Sequence, residues 1–284
     1  MNPDDYRPLV QLALREDLGD RGDVTTSAVF SDEVSQAVLS SKDHGILAGE
    51  DVFWAVFAEV DSHIVVEFGH HDGEALEPGD KVATVHGKIS SILTGERIAI
   101  NFISLLSGIA TSAGEFVESA ACGGNTIVLD TRKTIPGFRN LSKYAVRTGG
   151  AKNHRTGLFD MVMLKDNHID FAGSIREAVR RVRQRWSDEF RIEVECRSLA
   201  EVEEALECGV DVIMLDNMDV TLVERAVSLR DRSGGARAEL EASGNMNLET
   251  VRTMSGAGVD FVSVGSLTHS VRSFDFSLKT DKPK

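Results

Sequence analysis

Cysteine is scarce: Cys122, Cys196 and Cys208 are the only three in 284 residues, and none forms a C-x-x-C pair. An odd number of widely spaced thiols excludes a disulfide framework and a structural zinc site, and fits small buried hydrophobes in a reducing compartment. Long apolar runs are also missing. None approaches the ~20 residues of a membrane span, and the start MNPDDYRPLV has neither a basic n-region nor an apolar h-region. These absences predict a cytoplasmic protein with no membrane contact. Positive charge is short as well, with 31 Lys and Arg against 45 Asp and Glu and a net charge of -14. That balance argues against nucleic acid as a partner, since phosphate backbones call for a broad basic surface.

The few cations are concentrated. Residues 130–165 read DTRKTIPGFRNLSKYAVRTGGAKNHRTGLFDMVMLK and hold eight Lys or Arg against two Asp, which leaves +6 there and -20 elsewhere. Cations gathered at the expense of self-repulsion point to a small anionic ligand. Gly137, Gly149, Gly150 and Gly157 in the same stretch keep side chains away and let backbone N–H groups approach a phosphate or carboxylate. Arg132 and Lys133 follow the apolar run 127–129, and Lys165 follows 161–164, so both sets of cations lie at the ends of buried strands.

The chain changes texture along its length. A short amphipathic helix around Leu9 to Leu14 leads into the turn-rich stretch EDLGDRGDVTTS, followed by strand-like pieces between glycine and proline turns. These predict a small α+β domain. His70 and His71 sit in a turn with no third ligand nearby, so they read as a surface loop. A long helix is expected from Thr94 as its N-cap, with Ile98, Phe102, Leu105, Leu106 and Ile109 on its apolar face. Arg97 would then lie in the first turn, where the helix dipole disfavours a cation, and an external anion would explain it.

Beyond residue 126, strands at 127–130, 161–165, 191–196, 211–216, 238–243 and 260–265 alternate with amphipathic helices, clearest at 174–184, 199–207 and 220–229. Such a succession builds a parallel sheet, either a barrel or a doubly wound sheet. The lack of G-x-G-x-x-G after the first strand favours a barrel. So do the residues ending the strands: Arg132, Lys165, Glu195, Asp216, Ser243 and Gly265. Six strands rather than eight predict an incomplete one. Arg132, Lys133, Arg155 and Lys165 suit carboxylates or phosphates. Glu195 and Asp216 suit sugar hydroxyls or a magnesium ion. ASGN at 242–245 and VGS at 264–266 suit a phosphate cup.

The runs DTRKTIPGFRNLSKYAVRTGGAKNHRTGLFD, LKDNHI, IMLDNM, EASGNMN and GVDFVSVGSLTHS, with EDLGDRGDVTTS and TGERIAINFISLLSGIAT before them, resemble quinolinate phosphoribosyltransferase. The departures are Asn245 in place of a common second glycine and Ser266 in place of the usual alanine; neither removes a charge. The resemblance implies an α/β protein: an N-terminal α+β sandwich domain over residues 1–108, joined by the tail 270–284, and an incomplete parallel α/β barrel over 109–269. It implies transfer of phosphoribosyl from phosphoribosyl pyrophosphate to quinolinate with decarboxylation, giving nicotinate mononucleotide, pyrophosphate and CO2, with Mg2+ required. It also implies a homodimer with shared sites, with a hexamer of dimers left open. By position, Arg132, His154, Arg155 and Lys165 would bind quinolinate with Arg97 from the neighbouring subunit, and Thr131 would join the substrate contacts. Lys133 would lie between the substrates and, with Lys165, Glu195 and Asp216, form the catalytic set. Glu195 and Asp216 would face the ribose and metal, directly or through substrate or water. Ser243, Gly244, Asn245, Val264, Gly265 and Ser266 would hold the 5'-phosphate.

Other readings stay open on the residues alone. His154 could orient a loop, and His269 reads as structural. Lys165 beside acids at a strand end also suits a Schiff-base aldolase. A homologous phosphoribosyltransferase for another base is a closer alternative, though paired arginines favour a dicarboxylate.

Overall fold

The change of texture near residue 126 corresponds to a change of architecture in the computed structural model, which describes residues 1–233 and 238–280. The described residues form two units. One holds residues 1–114, 140–150 and the tail from 271; the other holds 115–139 and 151–270. The segment 140–150 thus groups with the first unit, whereas a single cut after residue 108 would assign it to the second.

In the first unit, α1 (Pro3–Leu18) starts on Asn2, whose side chain accepts from the Asp4 amide. It is followed by α2 (Thr26–Val29), β1 (Val34–Ser41), β2 (Gly45–Ile46), α3 (Glu50–Val60), β3 (Val65–Phe68), β4 (Ala75–Leu76) and β5 (Lys81–Lys88). β1 alternates buried and half-buried residues, as a strand with one face on a core should. It pairs antiparallel with β5, placing Ala37 opposite Val85, and with the last strand, Phe276–Thr280, placing Leu39 opposite Leu278. The four-stranded sheet runs last strand, β1, β5, β3. Phe53 meets Phe57 and Phe68 edge-on, at 5.2 and 5.8 Å between ring centres. Asp72 caps α3 by accepting from the amides of Gly49 and Glu50 at 2.8 and 3.2 Å, and Tyr144 donates to its other oxygen. Burial raises the Asp72 carboxyl above its ordinary value.

The long helix α4 (Ile89–Gly123) begins directly where β5 ends. Thr94 is therefore not its cap; its hydroxyl donates to Asp23 at 3.4 Å. Arg97 lies inside the helix rather than in its first turn, and the dipole argument for it falls away. By length and composition α4 also overturns the expectation that no segment approaches a membrane span, with a mean hydropathy of 1.3 over 18 residues. Of that window 61% is buried inside the protein, which is how a core helix looks. The cysteines are all free, but only Cys196 is buried; Cys208 is half-buried and Cys122 exposed. The helix α5 (Arg139–Thr148) carries part of the basic window.

The second unit is a strand–helix succession: β6 (Ile127–Leu129), β7 (Val162–Leu164), α6 (Asp166–Ala172), α7 (Ile175–Trp186), β8 (Ile192–Cys196), α8 (Leu199–Cys208), β9 (Val212–Asp216), α9 (Val220–Arg232), β10 (Glu239–Ser243), α10 (Leu248–Gly256), β11 (Phe261–Ser263) and α11 (Ser266–His269). All six strands are parallel, in the order β6-β11-β10-β9-β8-β7. This is the cyclic order of a barrel with its seam open between β6 and β7, so the expected incomplete α/β barrel is what forms. Lys152 makes a single parallel bridge to Leu129 on the free side of β6. Helices α7, α8, α9 and α10 are each started by a cap, Ser174, Ser198, Asp219 and Asn247, whose side chain accepts from the amide three residues on. Ser198, Asp219 and Asn247 fix the strand-to-helix turns after β8, β9 and β10, and Ser174 the turn from α6 to α7.

Candidate active site

β8 and β9 are buried along most of their length and open only near their C-terminal ends, at Glu195 and Asp216. Strand register brings the ends to one level: Glu195 stands opposite Met214, Ser243 opposite both Asp216 and Ser263, and Ser263 opposite Leu129. A cavity of about 390 Å³ opens at that level. Four cations line it, Arg132, Lys133, Arg155 and Lys165, with the acids Glu195 and Asp216. Thr131, His154, Ser243 and Ser263 supply further polar groups, and Met163 and Met214 an apolar surface. Nine of the expected site residues thus share one wall, including every member of the expected catalytic set.

Local contacts fix the cations. The Lys133 amide donates to Thr131 Oγ1 at 3.0 Å, and Thr268 Oγ1 donates to the Lys133 carbonyl at 2.8 Å. Lys165 Nζ donates to Glu195 Oε2 at 3.2 Å. Arg155 donates from Nη1 to the Met161 carbonyl and from Nη2 to Met163 Sδ, at 3.2 and 3.3 Å. The Nε atoms of Arg132 and Arg155 are buried with no hydrogen-bond partner among the described residues. Burial, and then the charge of Arg132, lower Arg155 from its ordinary value. Two adjacent guanidiniums with unsatisfied donors are arranged for an anion rather than for each other.

The remaining expected residues are placed differently. Gly244 (φ +111°) and Asn245 (φ +44°) make a left-handed turn after β10, and Gly265 packs against Lys133 and His269. A Cβ on Gly244 would stand 2.2 Å from Asn217 Oδ1, so that position requires glycine twice over. Val264 departs from expectation: its side chain is buried and its amide donates to the Leu129 carbonyl at 2.9 Å, leaving no N–H for a phosphate. Ser266 opens α11. Arg97 is exposed on α4 in the other unit, and no ion pair involves it among the described residues.

His154 also differs from the direct ligand expected. Its side chain is only 6% exposed, and Nε2 lies 3.0 Å from Glu193 Oε2 and 3.3 Å from Glu241 Oε2. The Glu193 contact is an ion-pair approach rather than a hydrogen bond of normal geometry. Burial acts against charge on the ring, but the hydrogen bonding and charge of the two acids outweigh it and raise His154 to about 10. Nδ1 accepts the Arg155 amide at 2.7 Å, so a ring proton sits on Nε2, facing the two acids. The Glu193 carboxyl is raised by burial and by Glu241. His154, Glu193 and Glu241 have metal-ligand spacing, yet a metal would need the lone pair at Nε2 that the proton occupies.

Asp130, Glu193, Glu241 and Ser263 escaped the sequence reading. Asp130 accepts from Asn153 Nδ2 at 2.6 Å and from the His154 amide at 2.9 Å, holding the loop that carries the histidine. The signal for Glu193 was present: in IEVEC (192–196) it precedes Glu195 by two, and residues two apart share a strand face. Glu241 stands in the same relation to Ser243.

Comparison with known proteins agrees with this geometry. Residues 109–279 match the quinolinate phosphoribosyl transferase C-terminal domain, and residues 23–107 the N-terminal domain of the same family. A quinolinate phosphoribosyltransferase (decarboxylating) 1b of Nicotiana tabacum is 43% identical, across 98% of this chain and 83% of the relative. A probable nicotinate-nucleotide pyrophosphorylase (carboxylating) of Bacillus subtilis is 39% identical, across 98% and 94%. The crystal structure of NadC from Streptococcus pyogenes superposes with a TM-score of 0.93 at 41% identity, covering 98% of this chain and 97% of that one.

Proposed function

Since the chain belongs to the quinolinate phosphoribosyltransferase family and has that activity in NAD biosynthesis, we propose how its cavity carries the reaction out. One observation supports the reading above others: four cations and two carboxylates line a single cavity at the strand ends. Arg132, Arg155 and Lys165 hold the two carboxylates of quinolinate and present its ring nitrogen to the anomeric carbon of phosphoribosyl pyrophosphate. Lys133 stands toward the leaving pyrophosphate. As the nitrogen attacks, positive charge grows on the ribose, and Glu195 and Asp216 stabilise it. The positive charge on the quaternary nitrogen then stabilises the carbanion left on the adjacent ring carbon when its carboxylate departs as CO2, and that carbon takes up a proton from solvent. The turn at Gly244 and Asn245, with Gly265, receives the 5'-phosphate. No covalent enzyme intermediate is needed, because holding and orienting the reactants supplies most of the effect.

Glu195 and Asp216 fit a magnesium ion. Hard carboxylate oxygens are its preferred ligands, and two from the protein suffice when substrate phosphates and water complete the shell. When bound, the ion neutralises charge on the pyrophosphate oxygens. The family assignment sets aside the aldolase. Lys165 agrees, since it is half-exposed and hydrogen-bonded to Glu195 rather than desolvated as a Schiff-base lysine is.

The site is completed by Arg97 of the partner subunit in a homodimer. Supporting this are the exposure of Arg97 and that of the neighbouring Leu158 and Phe159, each 74% exposed, in the loop that follows the cavity residue Arg155. Large apolar side chains exposed together mark an interface.

Comparing quinolinate with nicotinate, each with phosphoribosyl pyrophosphate and magnesium, tests the assignment of the cations. A single carboxylate leaves buried donors unpaired at about 1 to 3 kcal/mol each, so quinolinate should be preferred at least about tenfold in kcat/KM. Equal use of the two acids would overturn it.

A further inference from the structure

We propose that Glu193, Glu241 and Ser263 are positioning residues for acid binding, acting through the ring of His154 on Arg155. The proposal rests on the reading of Arg155 as a ligand of the acid. Two wholly buried carboxylates behind a cavity built for a dianion would oppose binding if they served no other purpose. Their contacts suggest the purpose. His154 Nε2 faces Glu193 and Glu241 at 3.0 and 3.3 Å, and Ser263 Oγ donates to the other Glu241 oxygen at 2.5 Å. On the opposite edge of the ring, Nδ1 takes the backbone N–H of Arg155 at 2.7 Å. The imidazole is clamped at both nitrogens, and through it the acids fix the backbone from which the Arg155 guanidinium extends. At its far end that guanidinium is held by Met161 and Met163, so both ends of the side chain are set before any ligand arrives. Charge works in the same direction: Glu193 attracts Arg155 where Arg132 repels it. Loss of either acid frees the ring to turn, releases the Arg155 amide and lets the fork swing off line, which weakens recognition of a planar carboxylate more than anything else in the cavity.

The test measures steady-state kinetics of Glu193→Gln, Glu241→Gln and Ser263→Ala in the whole chain, varying quinolinate and phosphoribosyl pyrophosphate separately, beside thermal unfolding. Expected is a rise of about tenfold in the quinolinate KM of the glutamine variants, with the KM for phosphoribosyl pyrophosphate and kcat within about twofold of the parent. A fall in kcat with both KM values unchanged, or an equal rise in both, is what mere loss of folded protein or general distortion gives, and overturns the proposal. Should the glutamine variants not fold, Ser263→Ala removes one hydrogen bond from Glu241 and carries the same readout; an unchanged quinolinate KM there overturns it. Arg155→Lys separates the two readings. If it leaves the quinolinate KM unchanged, the assignment of Arg155 fails and the proposal with it. If it raises that KM while the acid variants do not, the proposal alone fails.

Discussion

Asn217 has φ +53°, a left-handed backbone that costs a side-chain-bearing residue roughly 1 to 2 kcal/mol. Three contacts explain why it persists. Its amide donates to the Ser243 carbonyl at 2.9 Å, its Nδ2 donates to Asp216 Oδ2 at 3.0 Å, and its Oδ1 fills the space a side chain at 244 would need. One residue thus ties the end of β9 to the end of β10 and sets the direction of the Asp216 carboxylate. Asn217→Gly keeps the backbone and removes the side chain, so stability should hold while kcat falls about tenfold with the lost hydrogen bond. Asn217→Ala should lose the same activity and about 1 kcal/mol of stability besides. Thermal unfolding and kcat on the two variants check this; equal kcat for Asn217→Gly and the parent would mean that Asp216 needs no such guide.

At the scale of elements, legibility followed how local the cause was. The six strands of the second unit were visible because each is a short apolar run, and the helices at 174–184, 199–207 and 220–229 because each carries an amphipathic pattern, which the caps Ser174, Ser198 and Asp219 start in the structure. The start of α4 was not visible, because β5 passes into it with no loop and Thr94, a cap residue by type, lies inside the helix. The grouping of 140–150 was hidden for another reason. Asn140 donates to Asp5 and Tyr144 to Asp72, contacts across many residues that no window of sequence contains. Within the site, the exposed strand-end residues were legible from their chemistry, whereas Glu193 and Glu241 were masked by the apolar strands around them. The glycines of α4 carry a prediction of the same long-range kind. A Cβ on Gly108 would lie 2.1 Å from the Arg272 carbonyl oxygen, a backbone atom that cannot swing aside. Gly108→Ala should therefore destabilise by about 1 to 3 kcal/mol despite the better helix propensity of alanine. Gly256, ending α10, meets only one atom, at 3.8 Å, and Gly256→Ala should be neutral or stabilising by up to about 1 kcal/mol. Opposite signs in chemical denaturation are the expected result.

At the scale of the whole molecule, charge is divided so that +6 gathers in residues 130–165 against -20 elsewhere, and an anionic substrate is repelled except where it reacts. Arg97 stands outside that gathering, exposed and without an ion pair among the described residues, on a unit that lends no residue to the cavity wall. If it serves the site of the partner subunit, activity depends on pairs of chains, and two damaged chains can repair each other. Arg97→Ala and Lys165→Ala should each be nearly inactive alone. Mixed under conditions that exchange subunits, they form dimers of which roughly half are mixed, and each mixed dimer has one site carrying both lesions and one carrying neither. Recovery should then approach about a quarter of parental activity per site. If Arg97 serves its own chain, every site in every dimer keeps one lesion and mixing restores nothing. With exchange verified by differently tagged chains, that second outcome would rule out a shared site, and the exposed Leu158 and Phe159 would need another occupant.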